Sequence, residues 1–203
     1  TTALGNASRR IFQTIGVWPA MRTVPAPISA IHVPDAGRFA FARLEASRPG
    51  LNSLGRVVPN RVIGRARWAG LAVDPDITLR VPARVESLAA EADGGLALGI
   101  TPESGAAPVS ACLVVACDGG ASRVRELLGI AATVEDYAQQ AVVASLLTDS
   151  PNDGMAWERF TPAGPMALLP LATGPEAGWR TLVWAAPPDD ARRLMALDVP
   201  QFL

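Results

Sequence analysis

With 203 residues, 49% hydrophobic and 18% charged, the chain is long enough for one large or two small domains and too apolar for a disordered tail. A net charge of -1, with no basic stripe, offers no electrostatic reason for a nucleic-acid partner. All 18 basic residues are Arg, which beside abundant Ala, Gly and Pro reads as genome composition rather than guanidinium chemistry.

The chain opens on Thr1-Thr2-Ala3-Leu4-Gly5-Asn6-Ala7-Ser8, a helical pattern without an initiator Met. Leu4, Ile11, Phe12 and Ile15 fall near helical spacing, and Gly16 is a plausible stop before Trp18 packs. Pro25 and Pro27 break any helix ahead of a strand at 28–33. A second strand at 39–44 follows the turn sequence Pro34-Asp35-Ala36-Gly37, so the pair reads as a hairpin. Asn60 is a good N-cap for a helix to about Trp68. Short strands are predicted at 77–81, 84–91, 96–101 and 109–117, separated by Asp93-Gly94-Gly95 and by Pro102–Ala107. Ser122 caps a short helix to Leu128, ended by Gly129. Strands follow at 138–147, 155–161, 166–171 and 180–185, and Pro187 or Pro188 opens a last helix. The chain stops just inside another helical pattern, and both ends read as cuts inside a larger protein.

This order predicts a mixed α and β chain, α+β or α/β, with a largely antiparallel sheet rather than a simple βαβ array. The hairpin at 28–44 and the strands after 134 can share one sheet, leaving 51–133 as a separate lobe. No run is apolar for the length of a membrane helix and the N-terminus has no signal-peptide pattern, so the expectation is a soluble chain. Cys112 and Cys117, five apart on one expected strand, point to opposite faces and cannot pair, so they read as free buried thiols. Two cysteines and one His fall short of a zinc site, and no metal is expected.

The segment Cys112-Leu113-Val114-Val115-Ala116-Cys117-Asp118-Gly119-Gly120-Ala121-Ser122-Arg123-Val124-Arg125 is the densest in chemistry. An apolar run delivers Asp118 to the end of a buried strand, and Gly119 and Gly120 permit a sharp turn. Ser122 then starts a helix whose free N–H groups can face an anion such as a pyrophosphate. Arg125 can fix Asp118 or reach a phosphate itself. Taken alone, Asp-Gly reads as an ordinary turn former.

The full string resembles the Asp-Gly fingerprint of flavoprotein monooxygenases related to p-hydroxybenzoate hydroxylase. Further stretches are similar to the ubiquinone-biosynthesis hydroxylases among them: Ile11–Trp18, Leu54-Gly55-Arg56-Val57-Val58-Pro59-Asn60, Tyr137–Val143, and above all Ala156-Trp157-Glu158-Arg159-Phe160-Thr161 through Gly164-Pro165-Met166-Ala167-Leu168-Leu169-Pro170-Leu171, then Leu182-Val183-Trp184. Arg56 and Pro59 depart from the family's pattern, and Pro151-Asn152 stands where the family usually has a His.

The resemblance implies the middle section of an FAD- and NAD(P)H-dependent monooxygenase. By family analogy it hydroxylates the aromatic ring of a polyprenylated ubiquinone precursor through a flavin hydroperoxide. It implies flavin contacts at Asp118, Gly119, Ser122, Arg125 and Arg56, and a substrate surface from Arg159, Gly164, Pro165, Met166, Leu168 and Trp184. Residues 1–20 with 51–133 would be part of the FAD-binding domain, and 21–50 with 134–203 a substrate domain. The sequence holds no Gly-x-Gly-x-x-Gly and no Gly-Asp-Ala segment, so the flavin site is expected to be incomplete here. A lipid-tailed phenol or quinol substrate implies a cytoplasmic protein in transient contact with a membrane or a biosynthetic complex. Two other readings stay open: a monooxygenase of this fold acting on another phenol, and an inactive truncated interaction module. Glu158 and Arg159 read equally as substrate-site residues or as a strand-edge ion pair. His32 reads as structural or surface, and Trp157, Trp179 and Trp184 as packing groups, with Trp184 foremost for touching a ring.

Overall fold

A computed structural model describes residues 1–22, 26–34, 37, 41–46, 52–101, 108–171 and 178–202. The expected turn residues Asp35 and Ala36, the strand start Phe39, Pro25 and the loop 102–107 lie outside these. The chain divides into two compact units, Thr1–Asp74 with Asp136–Leu203, and Pro75–Glu135. Residues 1–20 group with the C-terminal strands.

Strand pairing explains that grouping. In the first unit β1 (Thr2–Gly5) and β2 (Ala26–Ile28) flank β5 (Gly55–Val58), both antiparallel. Residues 2–5 therefore form a strand, not the start of the expected helix, because their backbone groups pair with the distant segment 55–58. The helix α1 (Asn6–Thr14) begins directly after, and Gly16 ends it as expected. On one face of this small sheet Leu4 and Val58 pack with Val17, Trp18, Met21 and Ala66, the last from α2 (Asn60–Ala72). Met21 is fully buried, worth roughly 1.5–3 kcal/mol of apolar transfer. Asn60 does not cap α2. It is the first helical residue, and its Oδ1 accepts a hydrogen bond from Thr2 Oγ1 at 2.6 Å.

The larger sheet has the order β4-β3-β10-β11-β12-β9, formed by β3 (Ala30–Pro34), β4 (Phe41–Glu45), β9 (Gln140–Leu147), β10 (Met155–Thr161), β11 (Gly164–Pro170) and β12 (Trp179–Ala186). The hairpin β3–β4 does join the C-terminal strands: β3 runs parallel to β10 with Trp157 beside His32, and the other pairs are antiparallel. The mixed, largely antiparallel sheet is thus as expected. One face packs on the small sheet, where Ile28 and Val57 meet Ala156 with Ile31 and Leu169. The opposite face is covered at β9 and β12 by α4 (Pro188–Met195), whose Ala191 and Leu194 pack on Val142, Ala186 and Trp184. A short α5 (Val199–Phe202) follows.

The second unit holds a three-stranded antiparallel meander, β6 (Arg84–Ala90), β7 (Leu96–Thr101) and β8 (Val109–Ala111), followed by α3 (Arg123–Leu127). Two expectations are corrected here. Residues 77–81 form no strand, and Pro82, which has no N–H to give to a ladder, closes the segment. The strand expected over 109–117 stops at Ala111. Residues 112–117 run without a ladder partner among the described residues, and Leu113 and Val115 are 76% and 70% exposed. Cys112 and Cys117 are consequently exposed free thiols, not buried ones. Among the described residues no helix is long and apolar enough to cross a membrane.

Candidate functional site

In the second unit the structure brings Asp118, Gly119, Ser122 and Arg125 into one turn. Asp118 Oδ1 accepts from Ser122 Oγ at 2.6 Å, and Oδ2 accepts from the Val124 N–H at 3.1 Å. Ser122 Oγ in turn accepts from the Arg125 N–H at 3.0 Å, the N-cap bond expected of a serine there. The Arg125 guanidinium donates to the Gly120 carbonyl at 2.9 Å. At the other end of α3 the Gly129 and Ile130 N–H groups return to the carbonyls of Glu126 and Arg125.

The motif is therefore a closed hydrogen-bonded cycle. The helix-start N–H groups expected to face an anion, those of Val124 and Arg125, are already taken. Arg125 ties the turn rather than Asp118. What the cycle leaves open is the bare backbone of Gly119 and Gly120. Gly119 sits at φ +88, and a Cβ on either glycine would meet nothing within 4 Å. That is a surface a phosphate or a ring edge can approach without displacing a side chain, so the residues present fit a flavin contact made through backbone.

The Ser122 hydroxyl first, and the Val124 N–H second, hold the Asp118 carboxyl below its ordinary value of 3.8. A carboxylate with a depressed pKa gives its ionised-form support above the unfolded value and loses it as pH falls through the folded one. Acid titration followed at the Val124 amide by NMR is expected to show a midpoint below 3.8. A midpoint at or above that value contradicts the cycle as drawn.

The second cluster lies on the large sheet of the first unit. Register places Trp157 opposite Leu168 and Arg159 opposite Met166, and Met166 opposite Trp184. Residues paired in this way share a face, so Trp157, Arg159, Met166, Leu168 and Trp184 all lie on the face opposite the small sheet. A groove of about 340 Å³ opens there, lined by Pro34, Trp157, Glu158, Arg159, Met166 and Leu168. Trp184 is outside it, packed under α4 against Val142 and Leu194, with its Nε1–H buried and unpartnered among the described residues. Trp157, expected only to pack, is 44% exposed and lines the groove. Its exposure depends on strand register, which no local pattern in the sequence carries.

Glu158 and Arg159 are neighbours on a strand and so point to opposite faces, and the two side chains do not pair with each other. The Arg159 guanidinium makes no hydrogen bond or ion pair among the described residues. Pro165 alternates to the far face, where a second groove of about 230 Å³ runs past Phe160, Pro165, Val183 and Ala185. Gly164 closes the β10–β11 hairpin, its carbonyl accepting from Thr161 Oγ1 at 2.7 Å. Arg56 lies on the central strand of the small sheet between Leu4 and Pro27, with its Nε buried and unpartnered among the described residues.

The chain matches the FAD_binding_3 family, described as an FAD binding domain, over residues 3–196. It belongs to that family. Among curated relatives, ubiquinone hydroxylase UbiL of Rhodospirillum rubrum is 35% identical over 204 residues, 99% of this chain and 45% of the relative. The 3-demethoxyubiquinol 3-hydroxylase of Escherichia coli is 30% identical over 98% of this chain and 49% of its own length. The chain thus spans about half the length of these relatives. Among solved structures, pqsL, a probable FAD-dependent monooxygenase from Pseudomonas aeruginosa, superposes with a TM-score of 0.80 at 17% identity, over 96% of this chain and 52% of that one. That likeness establishes the fold, which is that of FAD-dependent monooxygenases of the p-hydroxybenzoate hydroxylase type.

Proposed function

We propose that this chain is the middle section of an FAD- and NAD(P)H-dependent monooxygenase that hydroxylates the aromatic ring of a polyprenylated ubiquinone precursor. The observation that carries this reading is the match over 99% and 98% of the chain to two relatives named as ubiquinone-pathway hydroxylases, within an FAD-binding family. FAD, when bound, supplies the oxygen-activating chemistry, with NAD(P)H as the reductant. The chain's own residues hold and shelter the reactants. Asp118, Ser122 and Arg125 fix the Gly119–Gly120 backbone as a flavin contact, and Arg56, whose buried Nε is unpartnered among the described residues, is read as a flavin contact of the first unit. Residues 1–20 with 51–133 would carry the flavin side, and 21–50 with 134–203 the substrate side.

On the large sheet, Met166 and Leu168 give apolar surface that keeps water out. Arg159 offers an unpaired cation to a phenolic oxygen, and Gly164 and Pro165 shape the hairpin beside it. Trp184 supports the sheet from beneath α4. The protein is placed in the cytoplasm, touching a membrane or a biosynthetic complex only to collect a lipid-tailed substrate.

The test is turnover in the flavin-loaded, full-length protein. Stoichiometric FAD and reductant-dependent addition of one oxygen to a prenylated phenol are expected. Arg159→Ala is expected to raise KM by about tenfold, the loss of one charge-assisted hydrogen bond, with little change in kcat. A protein that binds no flavin, or oxidises reductant without ever hydroxylating a phenol, sinks the reading.

A further inference from the structure

Glu158 is the charged residue of the 156–171 stretch to which the proposed function gives no task. Strand alternation sends its side chain, with those of Ala156 and Phe160, to the face of the large sheet that carries the small one. Ala156 is buried there against Ile28 and Val57, but the cover thins along β10, where Glu158 is half-buried and Phe160 exposed. Register sets Glu158 beside Ala167, and Ala167 beside Val183. With Phe160, Pro165 and Ala185 these residues line the groove of about 230 Å³. Among its described lining residues only Glu158 and Arg159 carry a charge. The ladder from β3 ends one residue earlier, at Trp157, and Glu158 also borders the groove of about 340 Å³. Its carboxylate makes no hydrogen bond or ion pair among the described residues. Held among apolar side chains without a donor, a carboxylate costs free energy that an entering O–H group recovers.

We propose that Glu158 is the catalytic base for a phenolic substrate whose ring occupies the groove of Phe160, Pro165, Ala167 and Val183. An apolar cavity of about 150 Å³ takes a benzene ring, so this groove has room for one substituted ring. The phenolic O–H donates to a Glu158 Oε before reaction. As the ring is oxygenated, the O–H bond breaks and its electron pair stays on the phenolic oxygen to feed the ring. The proton passes to the carboxylate, which becomes a neutral carboxylic acid. A half-buried carboxylate suits this step, because taking the proton removes the charge that its surroundings disfavour. Arg159 borders the same groove, so the oxygen that gains electron density has a cation near it. A base placed in this way contributes about 10²–10⁴ in rate. This assignment rests on the proposed hydroxylase reading and adds to it the group that takes the ring's proton.

The experiment uses the flavin-loaded, full-length protein and 2-methoxyphenol bearing one prenyl group. It reads kcat and KM separately, and folding by thermal melting. Glu158→Gln keeps the shape and an acceptor oxygen but cannot take a proton. It is expected to lower kcat about 100-fold, hold KM within about threefold and melt with the parent. Glu158→Asp, still a base though one methylene short, is expected to lose only about tenfold. The Glu158→Gln deficit is expected to shrink as pH rises toward about 10, where a phenol ionises unaided. β11 and β12 set only Ala167 and Val183 in line with Glu158, and Arg159, the other charged group at the groove, is unchanged in both variants. Parental kcat in Glu158→Gln, a deficit confined to KM, or one that does not shrink with pH overturns the proposal. So does a loss in Glu158→Asp as large as in Glu158→Gln. The two readings fail differently. If the parent hydroxylates the probe and Glu158→Gln does so as fast, the base falls alone. If the parent binds flavin but never hydroxylates a phenol, the hydroxylase reading falls and takes the base with it.

Discussion

Gly164→Ala is expected to destabilise the first unit by about 3 kcal/mol or more, lowering its Tm by roughly 6–12 °C. Two independent costs coincide at this position. Gly164 has a φ of +133, in a region that L side chains rarely adopt. A Cβ built there would overlap the carbonyl oxygen of Ala185 and lie 3.0 Å from its carbonyl carbon. Both obstacles are backbone, and β12 is hydrogen-bonded on both sides, to β11 and to β9, so neither can yield cheaply. Relief would require the β10–β11 hairpin to open, moving Arg159 and Met166 with it. Equilibrium denaturation or thermal melting checks the expectation, and a variant that melts with the parent protein refutes it. In the functional reading, then, the Gly-Pro of this hairpin matters first for letting the strands approach.

The elements that were legible in the sequence are those whose signals are local. The alternating strands at 96–101 and 155–161, the Ser122 cap and the Gly129 stop all appear as expected, because their determinants lie within a few residues of one another. Pairings between distant segments left no such trace. Residues 2–5 carry apolar spacing compatible with a helix and become a strand only because 55–58 lies alongside. Residues 112–117 look like a buried strand by composition. Leu113, Val115 and both cysteines are nevertheless exposed, since burial needs a neighbour and not only an apolar run.

The same distinction separates the two candidate clusters. The Asp118 turn was readable because Asp118, Ser122 and Arg125 interact within eight residues, although the details of who bonds whom were not. The groove was only half readable. Arg159, Met166 and Leu168 could be singled out by resemblance, but the choice between Trp157 and Trp184 depends on register and on where α4 lands. Both tryptophans lie on one face of the sheet, and only α4 decides which of them is covered.

Arg180→Ala is expected to cost about 3 kcal/mol, and Arg180→Lys most of that, although no feature of the sequence marks this arginine as special. Arg180 is only 8% exposed. Its Nε donates to Thr148 Oγ1 at 3.2 Å, while its two terminal nitrogens reach the carbonyls of Pro151 at 3.1 Å and Met155 at 3.4 Å. Beside it Asn152, also buried, donates to the Trp179 carbonyl at 3.2 Å and accepts from the Gly154 N–H at 3.0 Å. The connection from β9 to β10 is thereby fastened to β12 by side chains, and its carbonyls are satisfied where no ladder could reach them. The Asn152 amide serves this knot as donor and acceptor at once. Lysine offers a single ammonium where a planar fork meets three oxygens in three directions, which is why it should not rescue. Removing the fork takes this donor from the Pro151 and Met155 carbonyls and frees the start of β10, two residues before Trp157. The expected signature is therefore double: a stability loss by denaturation, and a weaker phenol affinity in the flavin-loaded protein measured below the melting transition. If Arg180→Ala keeps both stability and phenol affinity, the knot does not position the groove, and β10 must be held by its ladders to β3 and β11 alone.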